Sequence, residues 1–591
     1  MSSSRLRALV SWALRLLAAG ILFQTLFFKF TASAESVHIF TTLGMEPWGR
    51  IGSGVTELVA CVLLLLPRGV VLGALLSVGV MAGALASHLT LLGVEVLGDG
   101  GLLFGLAVVV LLAGLALLWL HRAAIPLIGR RLAPRRHAHG AGARGSCRIG
   151  RSAGRRVVIL GGGFGGVYAA LELEKRLRDD DDVEVLLVNR DNFFLFTPML
   201  HEVAASDLDV THIVNPVRAL LRRVDFFQGD VERVDLEARR VTLRHGTDSH
   251  VHAVDYDVLV VALGSTTNFF GTPGLAERAL TMKTLGDAVH LRNRMIAALE
   301  EADTECAAAR REDLLTFVVA GGGFAGVETV AGMNDFLRDA LPYYPHLTEE
   351  DLRVVLVHSG DVILPELGTQ LGAYAQTKLR TRGVEMRIKS RVAGLSDDGV
   401  RLNDGTTIPT RVLVWTAGTS AHPLLATLPC KKDKGRICVD EHLELQGFPG
   451  VFALGDCAVV PDVRTGGFHP PTAQHALREG AVAAHNVLAF VRGTSRRRFE
   501  FTTLGQLAAI GRRTGVARMF GVNFSGFVAW WLWRSIYLSK LPRFEKKLRV
   551  ALDWTLDVFF AKDLVQVSTE RSSATATQTP GESRTQVHAA G

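Results

Sequence analysis

The chain is poor in cysteine and in charged side chains, and both shortages restrict its class. Six cysteines in 591 residues, scattered from Cys61 to Cys457, are too few and too dispersed for a disulfide scaffold or a zinc knuckle. Charged residues make up only 21%, against 48% hydrophobic residues, and the mean hydropathy is +0.25. This composition excludes a disordered, collagen-like or coiled-coil chain.

The apolar residues are concentrated in four runs near the N-terminus. These runs are residues 9–28, 52–66, 69–92 and 101–120. Most approach the roughly 20 residues that a helix needs to cross a bilayer, although the second is short. A signal peptide is an alternative for the first run, but three further runs follow it. The sequence therefore predicts an all-α transmembrane module of four helices.

Basic residues in the loops predict which way this module faces. The third loop contains Glu95 and Asp99 without a lysine or arginine, whereas residues 121–156 contain ten arginines and no acid. Basic loops stay in the cytoplasm, so the remainder of the chain is expected on the cytoplasmic side. The net charge of +7 is then a signal of topology and of contact with anionic lipid, and no nucleic-acid partner is expected.

Three ionisable residues, Lys29, Glu57 and His88, interrupt the predicted spans. We expect them to lie toward the outer leaflet, where they can pair, and the alternative is that each reaches the interface near a helix end. The surrounding sequence resembles the DoxX-like family of four-helix membrane proteins over about residues 5–122. That resemblance implies a membrane redox accessory role. Its motifs are Phe27-Phe28-Lys29-Phe30, Glu57, Ser87-His88-Leu89 and Gly93-Val94-Glu95.

Beyond residue 154, strands begin to alternate with helices. The strand run 157–160 leads directly into a glycine-rich turn at 161–166, and a helix is expected from about Phe164 to Arg178. Glycines at the first, third and sixth positions of such a turn allow a tight bend. They also let a pyrophosphate approach the backbone at the N-terminus of the helix. These glycines are Gly161, Gly163 and Gly166.

The same arrangement recurs 160 residues later, from residue 161 to residue 321. The strand run 317–320 enters a turn containing Gly321, Gly323 and Gly326, and another strand is expected at 353–357. Two such turns in one chain predict two bound nucleotides. The usual arrangement of that kind is a flavoprotein with FAD on the first domain and a nicotinamide nucleotide on the second.

Neither second strand ends with the acid that normally binds the ribose hydroxyls. Asn189, followed by Arg190, takes that place in the first domain, and His358 takes it in the second. An asparagine can still hydrogen-bond a ribose. No basic cluster follows His358 to receive a 2′-phosphate, so the sequence favours NADH over NADPH.

Three further strand ends agree with a two-nucleotide flavoprotein. Two of these strands end at Gly264 and Gly418, where the chain returns beneath each nucleotide, and a third ends in Gly455-Asp456, a pair aimed at the FAD ribityl chain. The predicted fold class is α/β, with two Rossmann-like domains preceded by the four-helix module and followed by C-terminal membrane-associated helices. The predicted limits are 1–121 for the module, 122–154 for a basic flexible linker, 155–285 and 411–495 for the FAD-binding domain, 286–410 for the NADH-binding domain, 496–566 for the C-terminal membrane and quinone region, and 567–591 for a disordered tail.

Cysteine is absent between Cys147 and Cys306, so the redox-active pair of a disulfide reductase is missing. Direct flavin chemistry remains, with the protein binding and orienting the cofactors. Several motifs resemble type II NADH:quinone oxidoreductase over about residues 155–566. They are Phe194-Leu195-Phe196-Thr197-Pro198-Met199-Leu200, Met282-Lys283-Thr284-Leu285, Leu291-Arg292-Asn293-Arg294, Ala473-Gln474-His475-Ala476 and the aromatic stretch 529–537.

The resemblance implies FAD and NADH as cofactors and assigns roles to particular residues. Glu328 is implied near the nicotinamide, and Gln474 is implied as a donor to a flavin or quinone carbonyl. Arg478 and Glu479 replace the second glutamine of the family's quinone motif, so Arg478 either stabilises a quinone oxyanion or lies on a helix surface. No metal is expected. The candidate cofactor-binding residues are Gly161, Gly163, Phe164, Gly166, Asn189, Arg190, Thr197, Gly264, Gly321, Gly323, Gly326, His358, Gly418, Asp456 and Ala473.

The C-terminal region combines aromatic residues at 524–537 with basic flanks, which is typical of a helix lying in the headgroup boundary. Packing of this helix on the flavin domain is the alternative. The expected partners are a membrane quinone (menaquinone or ubiquinone), the lipid bilayer and, as an open option, a second copy in a homodimer. The expected location is a bacterial inner membrane, crossed several times. Two rival functions remain: a sulfide:quinone oxidoreductase that uses Cys306 and Cys430, and a flavin-binding sensor or accessory protein.

Overall fold

The computed structural model describes residues 3–66, 69–96, 99–121, 154–177 and 182–567. The predicted linker and tail therefore lie almost entirely outside the described residues. The chain divides into two compact units, Met1–Arg135 and Arg136–Gly591.

The N-terminal unit is entirely helical in the part of it that is described. Four of its helical segments are long and apolar enough to cross a membrane: Val10–Phe30, Trp48–Leu65, Val70–Leu92 and Leu102–Leu120. They correspond to the four predicted runs, whereas a short helix after the first run was not predicted. The elements are α1 (Ser3–Phe30), α2 (Ala34–Thr42), α3 (Trp48–Leu65), α4 (Val70–Ser87), a π-helical turn (His88–Leu92) and α5 (Leu102–Leu120).

Small residues let these helices approach one another closely. A Cβ added at Gly73 would lie 2.7 Å from the backbone nitrogen of Leu64, and one at Gly114 would lie 2.8 Å from a methyl group of Val78. Large apolar side chains such as Phe23 and Trp119 are exposed on the outside of the unit. Small residues inside and large apolar residues outside are the pattern of helices that pack within lipid.

An ion pair lies inside this unit. Lys29 Nζ is 2.6 Å from Glu57 Oε1, and the other carboxylate oxygen accepts a hydrogen bond of 2.9 Å from Thr25. His88 does not join them, contrary to expectation: its Nδ1 is 2.8 Å from the carbonyl oxygen of Gly93. The π-helical turn places His88 beside its own following loop, so the expected group of three is a pair.

Breaking this pair on one side should cost more stability than removing it altogether. Glu57→Leu leaves the Lys29 ammonium without a counter-charge, which costs about 3–5 kcal/mol for a buried pair. The double variant Lys29→Met/Glu57→Leu should recover most of that loss. Thermal unfolding in detergent measures both, and equal destabilisation by the single and double variants would contradict the expected coupling.

The second unit begins with alternating strands and helices, because short β-branched runs alternate here with amphipathic segments. The first helix starts at Phe164 as predicted and ends at Arg176, two residues before the predicted end. The elements are β1 (Arg155–Leu160), α6 (Phe164–Arg176), β2 (Val183–Asn189), β3 (Phe193–Leu195), α7 (Leu200–Ala204), β4 (Val214–Pro216), α8 (Val217–Leu220), β5 (Asp225–Gln228), β6 (Asp230–Asp235), β7 (Arg240–His245), β8 (His250–Asp255), β9 (Val258–Val261), β10 (Ser265–Thr267) and α9 (Leu275–Arg278).

The middle of this unit repeats the pattern. Its elements are α10 (Leu285–Thr304), α11 (Ala308–Leu315), β11 (Thr316–Ala320), α12 (Phe324–Ala340), β12 (Arg353–His358), α13 (Thr369–Thr381), β13 (Val384–Ile388), β14 (Val392–Ser396), β15 (Gly399–Leu402), β16 (Thr407–Ile408) and β17 (Val412–Trp415). The chain then returns through β18 (Thr419–Ala421), β19 (Lys432–Asp433), β20 (Arg436–Cys438), β21 (Val451–Ala453), β22 (Ala458–Val459) and α14 (Ala473–Arg492).

Two parallel sheets form the core of the unit. The first has the strand order β21-β9-β1-β2-β5, and the second has the order β13-β12-β11-β17. Both central strands, β1 and β11, are almost fully buried, as continuous apolar strands of parallel sheets are. Strands β10 and β18 pair antiparallel where the chain enters and leaves the second sheet. The α/β prediction with two Rossmann-like domains is confirmed.

The last described elements of the second unit are an antiparallel sheet and two helices. These elements are β23 (Gly505–Ala509), β24 (Gly515–Met519), β25 (Val522–Gly526), α15 (Phe527–Lys540) and α16 (Phe544–Leu556). A Cβ at Gly515 would lie 2.8 Å from the backbone nitrogen of Trp530, so α15 lies directly against β24. Trp533 on α15 is fully buried.

Candidate active site

The first nucleotide turn, residues 161–166, has the geometry that a pyrophosphate requires. Gly161 has φ +106°, and a Cβ there would lie 2.2 Å from the carbonyl oxygen of Ala262. A Cβ at Gly166 would lie 1.9 Å from the carbonyl oxygen of Gly161, whereas one at Gly163 would meet only open space. Two glycines thus permit the tight bend, and the third leaves the backbone accessible in front of α6, beginning at Phe164. These residues fit the diphosphate of FAD.

Asn189 ends β2 and supports this turn. Its Oδ1 accepts a hydrogen bond of 2.8 Å from the N–H of Gly162, and its Nδ2 donates to the carbonyl oxygen of Asp191. The Arg190 side chain is largely exposed, and Thr197 is an exposed residue that begins a short 3₁₀ turn. The structure therefore brings Asn189 to the turn and leaves Arg190 and Thr197 at the surface.

The second nucleotide turn, residues 321–326, repeats this geometry. Gly321 has φ +120°, a Cβ at Gly326 would lie 1.8 Å from the Gly321 carbonyl oxygen, and Gly323 faces open space. His358 takes the place of Asn189, because its Nδ1 accepts a hydrogen bond of 3.2 Å from the N–H of Gly322. The residues fit a second dinucleotide.

The returning strands meet a polar group that the sequence did not reveal. Ser265 follows Gly264 and donates a hydrogen bond of 2.8 Å to Asp456. Lys283 in turn donates to the Ser265 hydroxyl at 2.6 Å, and burial lowers the pKa of its ammonium. Asp456 is thus held in one orientation by Ser265.

Gly418, at the other returning strand, has no room for a side chain, since a Cβ would lie 2.5 Å from the ring of Phe270.

Helix α14 begins at Ala473 and is tied to the first nucleotide domain. A Cβ at Gly480 would lie 2.6 Å from the carbonyl oxygen of Gly165, so α14 crosses α6 closely. The buried Glu479 accepts a hydrogen bond of 2.7 Å from the N–H of Gly455, and burial raises its pKa to about 7. Glu479 therefore fixes the turn that precedes Asp456.

Gln474 and Arg478 lie together on this helix. Gln474 Nε2 donates to the carbonyl oxygen of Gly505 at 3.3 Å, which links α14 to β23. Arg478 donates to the Gln474 carbonyl oxygen at 2.7 Å, and its guanidinium lies 4.0 Å from the ring centre of Phe501. Arg478 is therefore held against an aromatic ring on the same side as Gln474.

Glu328 lies where three parts of the unit meet. Its Oε1 accepts hydrogen bonds from the N–H of Ala509 at 3.1 Å and from the indole of Trp533 at 2.9 Å. Its Oε2 is 3.8 Å from Nδ1 of His201 on α7. Burial raises the pKa of Glu328 to about 8 and lowers that of His201 to about 4, so this contact joins two neutral groups at pH 7.

A second buried carboxyl, Glu202, lies beside His201. It accepts a hydrogen bond of 3.2 Å from the indole of Trp554 and lies 3.8 Å from the guanidinium of Arg534. Burial raises the pKa of Glu202 to about 8, despite the opposing effect of Arg534. The charge of Glu202 adds to the effect of burial in raising the pKa of Glu328. We call these two residues the carboxyl pair.

Sequence reasoning missed Glu202, although one signal was present. It lies in Leu200-His201-Glu202, directly after the Thr197-Pro198-Met199 motif, and α7 is buried at every position despite these two polar residues. Its partners Arg534 and Trp554 come more than 300 residues later.

The two cysteines of the sulfide alternative lie in different surroundings. Cys306 is exposed in the loop after α10, whereas Cys430 is half-buried just before β19. Burial raises the pKa of the Cys430 thiol, which opposes formation of the reactive thiolate. This geometry offers no support for a nucleophilic pair.

The first nucleotide turn gives a direct test of FAD binding. Gly166→Ala should yield protein with less than about a tenth of the normal flavin, because the added methyl group forces the turn open and mispositions the phosphate site. The matched control is Gly286→Ala, where the nearest atom is 3.6 Å away. Flavin absorbance per mole of protein measures both, and normal flavin content in Gly166→Ala would refute the assignment.

Comparison with known proteins agrees with this geometry. A family model described as pyridine nucleotide-disulphide oxidoreductase matches residues 155–480, and one described as NDH2 C-terminal domain matches residues 504–563. The type II NADH:quinone oxidoreductase Ndh of Mycobacterium tuberculosis is 33% identical over 73% of this chain and 92% of its own length. A probable NADH dehydrogenase of Dictyostelium discoideum is 31% identical over 69% of this chain and 90% of its own length.

Solved structures show the same fold. NDH2 of Plasmodium falciparum in complex with NADH has a TM-score of 0.65 at 19% identity, covering 70% of this chain and 99% of that chain. The sulfide:quinone oxidoreductase of Aquifex aeolicus has a TM-score of 0.52 at 16% identity, covering 71% and 100%. The structures establish the shared scaffold, and the sequence relatives distinguish the family. The chain therefore belongs to the type II NADH:quinone oxidoreductases, within the pyridine nucleotide-disulphide oxidoreductases.

Proposed function

We propose that this protein oxidises NADH and reduces a membrane quinone through FAD, without pumping protons. The reaction balances as NADH + H⁺ + quinone giving NAD⁺ + quinol. The observation that carries the proposal is the pair of nucleotide turns in one unit, with the carboxyl pair at the junction of both domains and the C-terminal region. Family membership supports it.

FAD, held at the first nucleotide turn, would supply the redox chemistry between the two substrates. Asp456, fixed by Ser265 and by the turn that Glu479 supports, would orient it. The N-terminus of α14, at Ala473, carries a partial positive charge, which would favour a negatively charged group bound there. Gln474 and Arg478 would stabilise the quinone oxygen as negative charge develops there.

The carboxyl pair would supply the proton that quinol formation requires. The hydride of NADH delivers two electrons with one proton, so the second proton comes from solvent, and the carboxyl pair would pass it on to the quinone. With pKa values raised to about 8, Glu328 and Glu202 each carry a proton at pH 7 and can release it when the site becomes negative. A general acid of matched pKa contributes roughly 10²- to 10⁴-fold to a rate.

Removing the Glu328 proton should slow quinone reduction and change its pH dependence. In the native protein the rate should fall as the pH rises through about 8, because the carboxyl loses its proton there. Glu328→Gln keeps an amide in the same space but cannot release a proton, so quinone-dependent turnover should fall about 100-fold and lose this pH dependence. Steady-state rates from pH 6 to about 10 measure both.

The control for this experiment is Glu300→Gln, which removes a carboxylate on α10 that accepts a hydrogen bond from the Tyr344 hydroxyl. It should retain the native pH profile. A Glu328→Gln enzyme with native turnover and the native alkaline decline would exclude Glu328 as the proton donor.

An exposed apolar surface on α16 supports association with a membrane. Phe544, Leu548, Leu552 and Leu556 are spaced by four residues and are all exposed, and the chain continues with the exposed Phe559 and Phe560. This spacing places them on one side of the helix. We propose that this side enters the headgroup boundary, as an amphipathic interfacial helix does.

One side of the aromatic helix α15 is buried, and another side is exposed. Trp533 is buried against the Glu328 carboxyl, so this side of α15 packs on the nucleotide domains, which was the alternative prediction. Phe527 and Trp531 remain exposed. The exposed side of α15 supports the headgroup interpretation, and we propose residues 496–566 as the membrane and quinone region.

We also propose that the N-terminal helices form a DoxX-like module in a bacterial inner membrane, crossing it four times, with the second unit on the cytoplasmic side. The Lys29–Glu57 pair and the small-residue contacts support a module that packs within lipid. We likewise propose the predicted domain limits and a homodimer.

Since the C-terminal surface offers its own contact with lipid, the N-terminal module should be dispensable for the reaction. A chain lacking residues 1–121 should keep at least about half of the NADH:quinone turnover in detergent and should still bind anionic vesicles through charge and apolar burial. Leu548→Ser/Leu552→Ser in this shortened chain should abolish vesicle binding. Loss of quinone reduction on deletion, with FAD content intact, would place the quinone site in the module instead.

A further inference from the structure

The ribose end of the second nucleotide site is built from two neighbouring strands. Strands β12 and β13 are parallel, and His358 pairs with Ile388 at their carboxyl ends. The residues that follow are therefore adjacent: Ser390 donates its N–H to the His358 carbonyl oxygen at 3.0 Å, and Lys389 donates its N–H to the Gly360 carbonyl oxygen at 3.2 Å. Ligands of such folds bind at this edge.

His358 is a neutral group at the position where an acid normally selects NADH. Its Nδ1 accepts the hydrogen bond from Gly322, and its Nε2 is 3.1 Å from the carbonyl oxygen of Val362. Because a carbonyl can only accept, Nε2 carries the proton and the imidazole is neutral. An acid in this place bonds the 2′-hydroxyl and repels a 2′-phosphate. A neutral imidazole does not repel it.

Positive charge reaches this edge from the neighbouring strand. Lys389 is 73% exposed, and its ammonium is 3.3 Å from the equally exposed Asp361. Arg391 follows two residues later and is also exposed. The sequence favoured NADH because no basic residues cluster directly after β12. They follow β13 instead, about 30 residues further along the chain, and the parallel pairing brings them beside His358.

We propose that this site accepts a 2′-phosphorylated nicotinamide nucleotide, so that the protein oxidises NADPH as well as NADH. Lys389 would exchange Asp361 for the 2′-phosphate, and His358 would permit the phosphate to lie at the ribose edge. The balanced reaction is NADPH + H⁺ + quinone giving NADP⁺ + quinol, which rests on the proposed function for its acceptor. The nucleotide preference itself is independent of the acceptor.

Binding of two small probes to the full-length, FAD-loaded protein tests this directly. The probes are 2′,5′-ADP and 5′-AMP, which differ only in the 2′-phosphate. Calorimetry should show 2′,5′-ADP binding about tenfold more tightly, as a charge-assisted contact on an exposed lysine allows, and the ratio should shrink with added salt. Equal or weaker binding of 2′,5′-ADP would overturn the proposal.

Two variants, one of a lysine and one of an arginine, test which residue contacts the 2′-phosphate. Lys389→Gln should reduce the affinity ratio to below about threefold, because it removes the charge nearest the ribose edge. Arg387→Gln removes a charge from β13 itself, where Arg387 pairs with Glu385, and should keep the native ratio. An unchanged ratio in Lys389→Gln would exclude Lys389 as the phosphate contact.

Activity provides a second readout. The kcat/KM for NADPH should be within about 30-fold of that for NADH, and His358→Glu should lower the NADPH:NADH ratio about 100-fold by restoring a repelling acid. A native ratio below about one thousandth would overturn the proposal. Bleaching of the flavin by NADH in the same preparation tests the proposed function by itself. Failure of the proposed function can therefore be distinguished from failure of the NADPH proposal. Because Lys389 is exposed, its variant keeps the test valid even if His358→Glu fails to fold.

Discussion

The buried Glu328 carboxyl is the interaction on which the arrangement of the second unit depends. It is the shared acceptor for the Trp533 indole and the Ala509 amide, and it lies beside His201. These partners belong to the C-terminal region and the first nucleotide domain. A buried acceptor is costly to leave unpaired, so the carboxyl specifies where the C-terminal region sits. The same group that holds these parts together therefore lies at their junction.

Much of the fold could be predicted because its signals are local. The two nucleotide turns follow from glycines whose spacing is a backbone requirement, and the buried strands follow from continuous apolar runs. The four apolar helices were equally clear from run length. Asn189 and His358 were found by position alone, as replacements for an acid, although their bonds to Gly162 and Gly322 could not be known.

The remaining site residues depend on contacts between distant parts of the chain, which no local pattern encodes. Glu202 becomes notable only because Arg534 and Trp554 fold against it. Lys389, which we propose as a phosphate contact, lies beside His358 because β12 and β13 pair in parallel. The buried side of α15 was ambiguous for the same reason, since an aromatic stretch has the same composition whether it meets lipid or protein.

The antiparallel pairing of β10 with β18 has a consequence for how this architecture arose. The chain enters the second sheet through β10 and leaves it through β18, and these two strands are joined by hydrogen bonds, about 5 Å apart. Strand β9 precedes β10 and β21 follows β18, and these two strands remain neighbours in the first sheet as if nothing had been inserted. Closely spaced ends are what allow one domain to be carried inside another. The inserted nucleotide-binding domain is thus a cassette, and exchanging it could give the flavin scaffold a new electron source without disturbing its own sheet.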